Sequence, residues 1–167
     1  MNEFIISILF KLGKGSILVG KLIYRAGDTG SAFTVSVKPT NTRIQGNFLF
    51  INEHSIILET KDGIKYETTF EDCDANIFPD PKNTFGLPSI GEKFSVKYLK
   101  NHPKVFVIIS DDDSPYAKNL RCRHLRKVYD EAKRILECDS LNSGYKEEYI
   151  KAKDEYIKNG CGDNIEE

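Results

Sequence analysis

The rhythm of apolar and polar positions changes once along this chain. From Ser16 to Ile109 apolar residues alternate with polar ones or come in short runs; from Pro115 they recur at longer, helical spacings. Alternation puts one side of a strand in a core, and the longer period puts one stripe of a helix there. Phe94, Val96 and Tyr98 alternate with Lys93, Ser95 and Lys97, which predicts a half-buried strand. Asn101-His102-Pro103 breaks the pattern, because proline lacks an amide donor and biases its predecessor away from helix. The β-branched and aromatic run Val105 to Ile109 predicts a strand buried on both faces. Ser114-Pro115 then reads as a helix start, with Asp111, Asp112 and Asp113 where the helix dipole favours negative charge.

The same reading extends to the rest of the chain. Ser16 to Tyr24 reads as a strand with Gly20 as a bulge, and Arg25 to Gly30 as a turn. Phe33, Val35 and Val37 mark a second strand that Pro39 ends, and Ile44 to Ile51 a third. Ser55 to Glu59 and Lys65 to Phe70 flank Asp62-Gly63, the strongest hairpin signal present. Cys73 to Pro88 is the longest irregular segment. Leu120, Leu125, Val128, Tyr129, Ala132, Ile135 and Leu136 stripe a helix from Pro115 to near Cys138. After a turn over Asp139 to Gly144, Tyr145, Tyr149, Ala152 and Tyr156 mark a second helix, ending near Asn159-Gly160. A short loop between two helices predicts an antiparallel pair. The expected fold is α+β: an antiparallel β-barrel or sandwich of about seven strands, followed by an αα-hairpin. The expected organisation is an apolar segment over 1–15, a β-domain over 16–110, a helical hairpin over 114–160 and a disordered acidic tail over 161–167.

Composition narrows function by exclusion. A net charge of −1 makes no global demand for nucleic acid or a membrane. The four cysteines, Cys73, Cys122, Cys138 and Cys161, form no CxxC pair and are too sparse for a disulfide scaffold. They are expected to be reduced, and the chain cytoplasmic. Met1 to Leu12 is apolar, yet Glu3 and the lack of a small-x-small site argue against a secretory signal. Lysines interrupt it far short of the ~20 residues a membrane span needs. It reads as a segment packed on the core, or alternatively as a contact with a membrane surface or partner.

Candidate chemistry is sparse. Asp72, Asp74 and Asn76 have the spacing that opens a calcium loop, but Ile77 stands where glycine is required and Asn83 where a bidentate glutamate closes it. Asp111 to Asp113 suit helix capping or an acidic contact patch better than a metal. Cys122, His124, Cys138 and Cys161 lack zinc-ribbon spacing. His54 and His102 lie beside turns and read as solvated. Lys118, Arg121, Arg123, Arg126, Lys127, Lys133 and Arg134 make the first tail helix basic. Without aromatic partners it reads as the wet face of a helix, pairing with Glu147, Glu148 and Glu155, so nucleic acid is disfavoured. No Walker loop, GxGxxG, GxSxG or HExxH occurs, and neither cofactor nor metal is expected.

Gly20 within a predicted strand, the Asp62-Gly63 turn, and Gly91-Glu-Lys-Phe94-Ser-Val96-Lys-Tyr98 followed by Pro103 form a pattern. From Ser16 to Ile109 it resembles a widespread bacterial domain family of unknown function that often sits beside transmembrane helices. The resemblance implies a small β-domain and no catalytic residues. It differs here by the helical tail and the lack of spans. The leading expectation is a non-enzymatic bacterial protein-binding domain, most concretely a toxin-neutralising immunity protein that meets a basic toxin domain. Its contact residues would be Asp72, Asp74, Asp80, Asp111, Asp112 and Asp113. The alternatives are a membrane-associated accessory domain using residues 1–12, and an enzyme with its site in the loop from Cys73 to Pro88.

Overall fold

The computed structural model describes residues 17–43, 50–72, 75–79 and 86–162. They form helix α1 (Ile17–Ala26), strands β1 (Asp28–Arg43), β2 (Phe50–Glu59), β3 (Lys65–Glu71), β4 (Ile77–Phe78), β5 (Lys93–Leu99) and β6 (His102–Ile109), then helices α2 (Pro115–Cys138) and α3 (Ser143–Lys158). The class is α+β. The strands build a six-stranded mixed sheet in the order β3-β2-β1-β5-β6-β4, which replaces the expected seven-stranded barrel or sandwich.

Three differences account for the strand count: one expected strand is a helix, two expected strands contribute to one, and β4 stands within the Cys73 to Pro88 segment that reads as irregular. Ser16 to Tyr24 was expected to be extended, but Ile17–Ala26 is helical. Val19 and Ile23, one turn apart, are buried against Phe78, Leu99, Val105 and Val107. Gly20 is a packing position, since a Cβ there would run into the Phe78 ring. The segments expected at Ile44 to Ile51 and Ser55 to Glu59 contribute to the one strand β2 from Phe50 onward; residues 44–49 lie outside the described residues. Pro39 does not end β1. Beyond Thr34, whose main chain also meets Gly91 and Glu92, that strand pairs only with β2 among the described residues, so the missing amide at Pro39 interrupts no second ladder there.

Side-chain parity divides the sheet into two faces. Cross-strand partners Ala32, Leu58 and Phe94, with Thr34, Ile56, Val96, Tyr98, Phe106 and Ile108, share one face, and all are buried. The opposite face of β6 presents Val105 and Val107 to α1. Both faces of β6 are thus covered, which is why its sequence is a continuous apolar run. The sheet curls: Phe70 of β3 meets Phe106 of β6 edge to face at 6.0 Å, although β2, β1 and β5 separate them in hydrogen-bonding order. Tyr116, in the first turn of α2, packs on Phe94 at 6.2 Å and donates to the Gly86 carbonyl at 2.8 Å.

The chain divides into two compact units at Ala117 and Lys118. In the second, Tyr129 stacks on Tyr156 and contacts Tyr149, with centroids 5.9 and 5.6 Å apart. Asn142 caps α3 by accepting from the Gly144 and Tyr145 amides. Gly160 follows the helix with φ of 65°. Among the described residues, no helix is long and apolar enough to cross a membrane.

Candidate functional site

Topology brings separate acidic stretches to one end of the sheet. Along β3-β2-β1-β5-β6 every neighbouring pair is antiparallel, so β3 and β6 run in the same direction. Their last residues, Glu71 and Ile109, therefore mark the same end. Asp72 leaves β3 there, and Asp111, Asp112 and Asp113 leave β6 there. β4 pairs in parallel with the last two residues of β6, through Ile77↔Ile108 and Phe78↔Ile109, so it too lies at this end. Asp74 and Asp80, also expected in the contact set, lie outside the described residues.

Asp72 anchors this end from within. One carboxylate oxygen accepts from the Asn52 amide at 2.9 Å and from Asn52 Nδ2 at 2.8 Å. The other is 2.7 Å from His54 Nε2. An ionised carboxylate only accepts, so Nε2 carries the proton in this contact. Burial pushes the Asp72 carboxyl up, but the hydrogen bonds from Asn52 and His54 together outweigh it and hold the group below its ordinary value. His54 is buried, not solvated as its turn-side position suggested, and it stacks on Phe70 at 4.8 Å. Its Nδ1 is buried with no hydrogen-bond partner. In the sequence, the signal was parity: His54 lies on the same side of β2 as Ile56 and Leu58.

The Asp111–Asp113 stretch is partly structural and partly presented. Tyr24 Oη donates to Asp111 at 2.8 Å, and this bond, with a smaller contribution from burial, raises the phenol's pKa. Asp112 accepts from the Ser114 amide at 3.1 Å and hydroxyl at 2.6 Å. Ser114 in turn accepts from the Ala117 amide at 3.3 Å, the capping role its position before Pro115 predicts. Asp72 and Asp112 are half-buried in these contacts, whereas Asp111, although bonded to Tyr24, and Asp113 are exposed to solvent.

Elsewhere on the β-unit, a groove of about 470 Å³ is lined by Val35, Ser55, Ile57, Glu67, Thr69 and Lys104, among others. Its walls are mixed, with one carboxylate and one ammonium. Among the described residues, no group of three or more His, Cys, Asp or Glu side chains gathers as a metal site would.

The helical unit corrects one expectation. Cys122 and Cys161 form a disulfide, with Cα atoms 5.2 Å apart, where reduced thiols were expected. The antiparallel hairpin brings the start of α2 to the end of α3 and so brings these cysteines together. Cys138 is a free, exposed thiol. Two of the arginines of α2 pair within their own helix: Arg126 with Asp130 at 3.1 Å and Arg134 with Glu131 at 2.6 Å. Tyr149's hydrogen bond, followed by burial, pushes Tyr129 up to about 12.

No protein-family model, no curated protein and no solved structure matches this chain.

Proposed function

We propose that this chain is a non-catalytic protein-binding domain whose contact surface is the acidic end of the sheet. The observation that carries the reading is topological. The curled sheet runs β3 and β6 in parallel, so acidic residues nearly forty positions apart in sequence emerge at one end. Asp111 and Asp113 present carboxylates there, on a loop held by the Ser114 cap and the Tyr24 bond. A rigidly held charged loop loses little entropy on binding, and its charge speeds encounter with a cationic partner. The neighbouring His54–Asp72 pair fits a structural role better than acid–base work. Its carboxylate already takes three hydrogen bonds, and its imidazole is stacked and buried.

The concrete form of the proposal is an immunity protein that blocks a basic toxin domain by occupying its cationic site. Affinity capture with in-cell crosslinking tests it, using the full chain as bait and mass spectrometry as readout. A stoichiometric cationic protein is expected, lost from the Asp111→Lys/Asp113→Lys variant and weakened by salt. Co-expression should then rescue cells from that protein's toxicity. Capture that is insensitive to the double charge reversal would refute the reading.

A further inference from the structure

The groove of the β-unit is built mainly on three neighbouring strands, β1, β2 and β3. Ser55 of β2 pairs with Thr69 of β3, and Ile57 with Glu67. Cross-strand partners share a face, so these four side chains stand together on the side turned away from Ile56 and Leu58. On β1 the register shifts between Thr34 and Ser36, and Val35 has no partner on β2. Such a bulge bends the strand and re-aims its side chains. Val35 is 47% exposed and lines the groove with Ile57. Lys104 reaches the groove from β6, which the curl of the sheet brings against β3.

Glu67 and Lys104 are exposed, and neither side chain has a hydrogen bond or an ion pair among the described residues. Two opposite charges are thus uncompensated at one recess. A simple anion or cation would match one and leave the other unmatched, whereas a ligand of both signs matches both. Ser55 and Thr69 add two hydroxyls, each able to donate and to accept. Val35 and Ile57 add an apolar wall. Small-molecule sites combine apolar lining with a few polar groups that fix orientation, in volumes of about 300–1,000 Å³. At about 470 Å³ the groove lies in the lower part of that range. A zwitterion with amide groups between its charges and an aliphatic body uses every part of this lining. A di- or tripeptide with free ends is such a molecule.

We propose that this groove binds a short aliphatic peptide with free ends. Lys104 takes the terminal carboxylate and Glu67 the terminal ammonium. Ser55 and Thr69 hydrogen-bond the amide groups between them, and the aliphatic side chains lie on Val35 and Ile57. The charged hydrogen bonds set orientation, and the apolar contact adds affinity. The site uses none of the residues of the acidic end, so either reading can fail without the other.

Isothermal titration calorimetry of the full chain with leucyl-leucine tests the proposal. Saturable one-to-one binding is expected, with a Kd below about 1 mM. Converting the carboxylate to an amide, or acetylating the amine, should each weaken binding by about tenfold. Glycyl-glycine and free leucine should bind at least about tenfold more weakly than leucyl-leucine. These comparisons use the parent chain and need no variant to fold. Lys104→Gln should weaken leucyl-leucine by about tenfold and no longer distinguish it from its amide. Glu67→Gln should likewise no longer distinguish it from its acetylated form. No saturable binding, an affinity unmoved by either cap, free leucine bound as tightly as the peptide, or a Lys104→Gln variant that still distinguishes acid from amide would each overturn the proposal.

Discussion

Asp72 shows what a single carboxylate contributes to this fold. It joins Asn52 and His54 at the end of β3, and its pKa is held below the ordinary value. A depressed carboxyl pKa gives stability that is present above the unfolded-state value and is lost as pH falls through the folded one. The window therefore lies on the acid side, below about pH 4. Asp72→Asn should cost about 2 kcal/mol at neutral pH, and the gap from the parent should close on acidification, as measured by urea unfolding across pH. Gly20 makes a second residue-scale prediction. Gly20→Ala forces a methyl against the Phe78 ring and should cost about 1–3 kcal/mol, with Phe78→Leu recovering part of the loss in the double variant. Neither role was legible from residue type. Gly20 resembled a bulge because its partner ring lies far along the chain, and His54 resembled a surface residue because Asn52 and Glu53 precede it.

Elements were legible where their signal is local. The Asp62-Gly63 turn, the strand pair ending at Ile109, the Ser114-Pro115 helix start and the Asn159-Gly160 stop all stand where short-range chemistry put them. Ile17–Ala26 was not legible as a helix, because ten residues with β-branched positions suit either period until the face they pack on is known. That face is supplied by Leu99, Val105 and Val107. The Cys122–Cys161 bond was hidden for a related reason: only pairing of α2 with α3 brings the cysteines together. Such bonds belong to oxidising compartments, so the cysteines give no support to the cytoplasmic expectation. The bond closes a loop with a sequence separation of 39. Cys122→Ser/Cys161→Ser should lower the stability of the helical hairpin by about 2–4 kcal/mol, read by far-ultraviolet circular dichroism in denaturant. Reductant should shift the parent transition toward that of the variant and leave the variant unmoved.

At the scale of the whole molecule, the class and the order of β-rich and helical parts could be read from periodicity alone, but the neighbour order of the strands could not. Nothing local specifies that β1 sits between β2 and β5, or that β3 and β6 meet through Phe70 and Phe106. The proposed contact surface depends on that order, because it is the order that carries Asp72 and Asp111–Asp113 to one end. The acidic residues were visible in the sequence; their convergence was not. A cationic partner bound there should protect the loop after β6 and the end of β3 together, although these stretches are distant in the chain. Hydrogen–deuterium exchange of the full chain, with and without the captured partner, measures this directly. The account predicts slowed exchange over Glu71–Asp72 and Ser110–Ser114, abolished by Asp111→Lys/Asp113→Lys. Protection confined to α2 and α3 or to the β2–β3 turn, or a failure to capture any stoichiometric partner, would contradict it.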